Sequence, residues 1–213
     1  MRKRPVLSPD GRFLVGGDAS GALCLIDRRM GVSWPTVHHP GYFVVIGAEE
    51  WIDPVAKDRR RWLLDEGEHQ DRDAFFQDLC AASFRWKCSG VWLEIGETNK
   101  LIAGALSRHL REHGIGTTLP VRDCAGLTGF KAAFPIISKL RENGLLEIPQ
   151  DSLLFQDIAT MVRDDLKTQD GLPADERRHR VAALNHVAIS YDYTPVAPRK
   201  KTKGGASPTE GYS

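Results

Sequence analysis

The chain begins with a glycine-rich pair of strand-like segments that occurs only once. From Ser8 the sequence reads SPDGRFLVGGDASGALCLIDRR, in which turn residues separate two apolar runs. One such unit is typical of a β-propeller blade, but a propeller repeats it at least about four times, at intervals of roughly 40 to 45 residues. No second SPDG follows, and after residue 55 the apolar residues recur mainly at helical spacing. The sequence therefore excludes a propeller and predicts strands first and helices after them.

The composition is typical of a globular protein of one domain. The 213 residues are 41% hydrophobic and 27% charged, and 29 Lys and Arg against 28 Asp and Glu leave a formal charge of +1. Any contact with nucleic acid would therefore need a local basic patch. No apolar run approaches the ~20 residues of a membrane helix, and MRKRPVLSPD is no signal peptide, so we expect a cytoplasmic protein. The four cysteines lie far apart without a CxxC pair and are expected to be buried thiols.

Turn residues and apolar spacing divide the chain into predicted elements. An antiparallel meander is expected from strands at 12–16, 22–27 and 42–46, and further strands at 90–95, near 117–121 and at 145–149. The charged segment 51–84 suits one or two surface helices, and further helices are expected at 99–113 and near 131–142, 152–167 and 175–190. We expect residues 1–10 to be an extension, 11–193 the folded domain, and 194–213 a disordered tail rich in Pro, Gly, Ser and Lys.

This order of elements is typical of an α/β domain of the ribonuclease-H type, in which helices flank a mixed sheet with an antiparallel meander first and parallel strands after it. In such domains, carboxylates from the end of the first strand, the end of the fourth strand and a late helix converge. Mg²⁺ prefers carboxylate oxygen, and two ions about 4 Å apart activate a water and stabilise the leaving oxygen of a phosphodiester. Asp18, in VGGDAS, and Glu94, in VWLEIGE, stand at the first two of these places.

The same motifs resemble a known family, the nuclease domain at the C-terminal end of the large terminase subunit of tailed phages. GGDASGALCLI is similar to the first hairpin with its metal-binding Asp, and GVWLEIGETNKLIAGALSRHL to the strand that ends in the second acid and the helix after it. LTGFKAAFPIISKLRENGLLEIP is similar to a lysine-containing helix with a short strand, and SLLFQDIATM to the helix before the last acid. The resemblance covers residues 11–193.

The resemblance implies a function in genome packaging, during which this family cuts concatemeric DNA. We therefore expect an endonuclease that depends on Mg²⁺ or Mn²⁺ at a two-metal site and acts on double-stranded DNA in the cytoplasm of the host cell. The packaging ATPase motor and the portal are the expected partners. The sequence contains no GxxxxGK[ST] phosphate loop, so this chain carries no motor of that kind.

The last motif departs from the family. There the final helix opens with paired aspartates shortly before an Ala-Leu pair, whereas ADERRHRVAALNHV has Asp175 and Glu176 about one helical turn earlier. Because Glu176, His179 and Ala183 share a helix face, Glu176 is the expected third catalytic acid beside Asp18 and Glu94. Asp175 and His179 are further candidate metal ligands, although imidazole suits Mn²⁺ better than Mg²⁺.

Several other residues have possible supporting roles at the site. Asp27 is either an additional ligand or a solvated strand end, Glu97 either a second acid beside Glu94 or a residue that favours the helix N-terminus, and Lys131 either a phosphate contact or a surface lysine. The candidate DNA contacts are Arg177, Arg178 and Arg180. No ligand spacing is evident among His38, His39, His69, His109 and His113, and His186 is expected to be structural.

Three functional hypotheses follow. The first is the metal-dependent endonuclease, in which an activated water attacks the phosphodiester in line without a covalent enzyme intermediate. The second is a catalytically degenerate copy of the same domain, which binds DNA or docks to the packaging motor without cutting, as the missing aspartate pair indicates. The third is a resolvase-like nuclease that acts on branched DNA.

Overall fold

The computed structural model describes residues 3–7, 13–17, 23–49, 60–93, 100–113, 121–123, 137–159 and 178–192. Its strands are β1 (Lys3–Leu7), β2 (Phe13–Gly17), β3 (Leu23–Ser33), β4 (Gly41–Glu49), β5 (Arg61–His69), β6 (Val91–Leu93), β7 (Val121–Asp123) and β8 (Leu146–Glu147). Its helices are α1 (Arg72–Trp86), α2 (Lys100–Glu112), α3 (137–142), α4 (Leu153–Ala159) and α5 (His179–Asp192). None of these helices is long and apolar enough to cross a membrane.

The strands form a mixed sheet in which β3 and β4 are central. β3 pairs antiparallel with β4, and β4 pairs antiparallel with β5 along its whole length. On the other side of β3, β6 pairs parallel to it and β7 pairs parallel to β6, while β8 is parallel to β5. The β1–β2 hairpin pairs with the first residues of β3, Leu23–Leu25. The predicted α/β class, with a mixed sheet flanked by helices, is thus confirmed.

Both faces of β4 are buried, which is why its sequence GYFVVIGAE is nearly continuously apolar. Alternate side chains of the strand enter two hydrophobic clusters, one on each face of the sheet. The first cluster contains Tyr42, Val44 and Ile46 with residues of α4 and α5. The second contains Phe43 and Val45 with residues of β3, β6, α1 and α2. The sheet is therefore the middle layer between two layers of helices.

The prediction of surface helices for residues 51–84 is wrong in part. α1 is helical, with Asp71 as N-cap accepting from the backbone N–H of Ala74 at 2.8 Å, but residues 61–69 form β5. The charged residues of RWLLDEGEH, which suggested a solvated helix, instead find partners on other elements: Asp65 accepts from Arg85 at 2.9 Å and from the indole of Trp86 at 2.8 Å. Tertiary contacts of this kind override local propensity.

The predicted antiparallel meander is confirmed, since the strands expected at 12–16, 22–27 and 42–46 correspond to β2, β3 and β4, which pair antiparallel in this order. The structure extends the meander by β5, which the sequence pattern did not indicate. The predicted elements at 90–95, 99–113 and 145–149 are confirmed as β6, α2 and β8, and the expected strand near 117–121 is described at Val121–Asp123. Within the described residues, 137–142 and 153–159 confirm parts of the next two predicted helices. Residues 1–10 contain β1, and the predicted tail 194–213 lies outside the described residues.

The helix α5 lies directly on β3. A Cβ added to Gly31 would lie 2.0 Å from the carbonyl oxygen of Ala183 and 3.1 Å from Cβ of Val187, so only glycine permits this approach. Three residues after Ala183, the buried ring of His186 also contacts β3, and its Nδ1 lies 2.9 Å from the carbonyl oxygen of Val32. The prediction that His186 is structural is thus confirmed.

We expect Gly31→Ala to destabilise the fold strongly. The added methyl group would meet backbone, which cannot rotate away, so the cost should reach about 3 kcal/mol, the upper part of the range for overpacking. Gly104→Ala is the matched control, because Gly104 is exposed on α2 and an added Cβ has no neighbour among the described residues within 4 Å. That substitution should stabilise the helix by about 0.5–1 kcal/mol. Urea unfolding followed by circular dichroism measures both, and equal stabilities would contradict the close contact.

Candidate functional site

The topology of the sheet indicates where a ligand would bind. β3 has a parallel neighbour, β6, on one side and an antiparallel neighbour, β4, on the other. In open α/β sheets, ligands bind beyond the carboxyl ends of the strands where the strand order changes direction in this way. Ser33 and Leu93 are the last residues of β3 and β6, and Tyr42 of β4 pairs with Ser33. The candidate site is therefore this edge of the sheet, together with the start of α5.

A charged network centred on Glu68 of β5 lies at this edge. Its carboxylate accepts two hydrogen bonds from the guanidinium of Arg180, each 2.8 Å long, and lies 2.7 Å from Nε2 of His179. Asp157 of α4 lies 3.4 Å from the same guanidinium. Hydrogen bonding from Arg180 is the main cause that lowers the pKa of Glu68, against the opposing effect of partial burial. Glu68 is thus an ionised, well-satisfied carboxylate that joins β5 to the start of α5.

Aromatic rings complete the edge. The rings of His39 and His179 are stacked with centroids 5.4 Å apart, and Tyr42 meets His179 edge-on at 6.3 Å. The Tyr42 hydroxyl donates to Glu66 at 2.5 Å, and burial followed by this hydrogen bond raises the pKa of Tyr42. The phenol therefore stays protonated at neutral pH and serves as a hydrogen-bond donor.

Glu66 has a second structural contact at the start of α4. It accepts from the hydroxyl of Ser152 at 3.1 Å and from the backbone N–H of Leu153 at 3.0 Å, so it caps this helix from a neighbouring strand. Both glutamates that β5 brings to the edge are thus engaged within the protein. Most of the acceptor positions of each carboxylate are therefore occupied by protein donors.

Several predicted site residues lie outside the described residues: Asp18, Glu94, Glu97, Lys131, Asp175, Glu176 and Arg177. Their roles stay predictions. Of those described, His179 and Arg180 contact Glu68, and Arg178 donates to the backbone carbonyl of Asp157 at 3.3 Å. The predicted DNA contacts Arg178 and Arg180 therefore have acceptors within the protein.

The structure does not bring Asp27 to the candidate site. The carboxylate of Asp27 accepts from Nε of Arg29 and from the hydroxyl of Ser89, each at 2.7 Å. Asp27 pairs with Ala48 of β4, whereas the candidate site begins at Tyr42. These two positions are six residues apart on one strand, about 20 Å at ~3.3 Å per residue. Asp27 and His179 therefore belong to opposite ends of the sheet.

The strands β2 and β6 pair with different parts of β3. β2, which precedes Asp18, pairs with the beginning of β3 around Cys24, whereas β6, which precedes Glu94, pairs with its second half around Gly31. These pairing positions are about 23 Å apart along β3 at ~3.3 Å per residue.

A group of metal-ligating side chains occurs elsewhere, between α1 and α2. One ligand atom from each of Cys80, His109 and His113 lies within 4.8 Å of the others. No ligand spacing was expected among the histidines, yet the structure brings His109 and His113 together in this group. Their spacing of four residues on a helix was the available signal. Cys80 lies 29 residues earlier and gave no signal, because only tertiary packing brings α1 beside α2.

No known protein family matches the chain, and no curated protein is significantly similar to it.

We expect Glu68→Gln to lower the free energy of unfolding at neutral pH by about 1–2 kcal/mol. This loss of stability lies at the lower end of the range for hydrogen bonds to charged groups, because Glu68 and Arg180 are partly exposed and solvent weakens their interaction. The pKa of Glu68 is lower in the folded state than its ordinary value of 4.5, so its contribution is present above pH 4.5 and is lost as the pH falls through the folded-state pKa. The stability difference between wild type and variant should therefore disappear in acid.

Denaturant unfolding between neutral and acidic pH measures this difference. Glu142→Gln is the control, since Glu142 is exposed at the end of α3. A control that loses as much stability as Glu68→Gln, or a difference that persists at low pH, would contradict the role assigned to Glu68.

Proposed function

We propose that this chain is a ribonuclease-H-type domain that takes part in phage DNA packaging by binding duplex DNA without cutting it. The proposal combines the motif resemblance with the geometry at the carboxyl ends of β3 and β6. Its partners would be the DNA and the packaging motor and portal.

The order of elements supports the ribonuclease-H-type assignment. The meander β3–β4–β5 is followed by α1, by β6 beside β3, by α2, by β7 beside β6, and by the closing helices. This is the order that the resemblance implies, once the meander is taken to start at β3. Since folds host many functions, the order supports the fold type and the site supports the function.

The proposal that the domain does not cut DNA rests mainly on which residues of β3 lie beside β6. A two-metal site needs carboxylates that converge from neighbouring elements, because Mg²⁺ and Mn²⁺ are bound through oxygen. The residues of β3 that pair with β6 are Met30, Gly31 and Val32, and the sequence from Arg28 to Trp34 contains no acid. Glu66 and Glu68, the acids that β5 adds to this edge, are bound to Tyr42, Ser152, His179 and Arg180.

A cutting nuclease is the second candidate, and one observation favours it. Glu94 directly follows β6 at the carboxyl end of two parallel strands, where this class of sheet binds ligands. An acid that follows an apolar strand is costly to bury without a partner or metal. The nuclease would need Asp18 and Glu176 to complete its site with Glu94.

Nicking of supercoiled plasmid by the purified chain, with Mg²⁺ and then Mn²⁺, separates the two candidates. We expect no cleavage above that of Asp18→Ala and Glu94→Ala, together with duplex binding that weakens as salt rises. Arg177→Ala should weaken binding and lower the slope of log affinity against log salt by about one, whereas Arg108→Ala, exposed on α2, should leave both unchanged.

Each other outcome changes the conclusion. Cleavage that is lost in Glu94→Ala would overturn the non-cutting function and establish the nuclease. Folded protein that neither cuts nor binds duplex DNA would overturn the DNA-binding function and favour docking to the motor. Circular dichroism of every variant shows whether it is folded.

A further inference from the structure

We propose that Cys80, His109 and His113 bind one divalent cation of the zinc class, which joins α1 to α2. This site is separate from the edge of the sheet described above, and it does not depend on the proposed function. It would be a structural or regulatory metal site on the helical layer that covers β3 and β6.

The three side chains come from two packed helices. Cys80 is a buried residue of α1, and His109 and His113 are one helical turn apart on and just after α2. A spacing of four residues places two imidazoles on one helix face, as in helical zinc sites. Their ring centroids lie 4.2 Å apart, and the ring of Phe76 in α1 lies 5.5 Å from that of His109. Leu79 of α1 and Leu106 of α2 belong to the same buried cluster.

The distances fit a tetrahedral metal after a small adjustment. The three ligand atoms lie within 4.8 Å of one another, whereas Zn–N distances near 2.1 Å and a Zn–S distance near 2.3 Å put tetrahedral ligand atoms about 3.5 Å apart. His113 is exposed and can rotate to shorten its distances. Because Cys80 and His109 are held by the packing of α1 against α2, the site is largely pre-formed.

The hydrogen bonding at His109 and His113 leaves the Nε2 atom of each ring available to bind a metal. Nδ1 of His113 lies 2.9 Å from the carbonyl oxygen of His109, a contact in which the ring donates and its Nε2 keeps a free lone pair. Metal-binding histidines commonly donate their other nitrogen to a carbonyl in this way. Nε2 of His109 is buried and has no hydrogen-bond partner among the described residues. A buried polar atom without a partner is costly, and a metal ion at this position would satisfy it.

The ligand types select the metal. One sulfur and two imidazole nitrogens suit Zn²⁺, whereas Mg²⁺ and Ca²⁺ prefer oxygen. Binding of the metal would displace the thiol proton of Cys80 to form the thiolate. Three protein ligands leave a fourth position, which the exposure of His113 opens to water or to a group of a partner.

Titration of the metal-free full chain with Co²⁺ tests the proposal, because a thiolate bound to Co²⁺ gives a charge-transfer band in the near ultraviolet and tetrahedral Co²⁺ absorbs strongly in the visible. We expect one Co²⁺ per chain, displaced by Zn²⁺, and a rise of several degrees in the unfolding temperature when Zn²⁺ is added. Cys80→Ala should remove the charge-transfer band. His113→Ala should weaken binding at least about tenfold, the loss that even residues behind metal ligands cause.

Two variants are matched controls. Cys88→Ala removes the other described free cysteine, and His38→Ala removes an exposed histidine outside the cluster. Both should bind Co²⁺ as the wild type does. Folded wild type without a charge-transfer band, a band that persists in Cys80→Ala, or affinity unchanged in His113→Ala would each overturn the proposal. His113 is exposed, so its variant remains informative even where Cys80→Ala disturbs the core.

Discussion

The close contact between Gly31 of β3 and the backbone of Ala183 in α5 determines how the last helix lies on the sheet. Because the helix approaches a strand this closely, almost every described side chain from Val181 to Tyr191 is buried, and its polar groups must find partners within the protein. The Tyr191 hydroxyl oxygen lies 2.9 Å from the carbonyl oxygen of Asp27 in β3 and 2.6 Å from that of Ile46 in β4, and His186 contacts a carbonyl of β3. This docking also fixes where α5 begins, which is why His179 and Arg180 reach β5 at the edge of the sheet.

The charges at that edge follow from the same docking. A carboxylate on β5 opposite the start of a buried helix needs a partner, and the Arg180 guanidinium supplies two parallel hydrogen bonds to Glu68. Glu66, two residues earlier on the same face, binds the Tyr42 hydroxyl and the start of α4. The acids of β5 therefore stabilise the junction of a strand with two helices. A cluster of carboxylates at a strand end is evidence for a metal site only when such partners are missing.

The sequence allowed α2, β4, β6 and the mixed α/β class to be predicted, since each has a clear apolar period or capping signal. β5 was missed because its charged residues mimic a solvated helix, and their cross-element partners are separated from them in sequence by as much as 112 residues. The strands at 12–16, 22–27 and 42–46 were predicted, but the local pattern does not say which strand of the meander pairs with β6. The structure shows that this strand is β3, through its second half.

The two candidate metal sites of this chain, at the edge of the sheet and between α1 and α2, differ in the ligand atoms that the fold leaves free to bind a metal. At the edge of the sheet, Glu66 and Glu68 contact Arg180, His179, Tyr42 and the start of α4, so oxygen ligands for a hard cation are scarce among the described residues there. Between α1 and α2, by contrast, the thiol of Cys80 lies within 4.8 Å of a ring nitrogen of His109, and the buried Nε2 of His109 is without a partner in the described part of the chain. A metal-binding role therefore follows more directly from sulfur and nitrogen on the helical layer than from the acids that the motifs emphasise. If the domain binds DNA without cutting it, a softer metal would act on the stability of the helical layer and leave the DNA-binding edge unchanged.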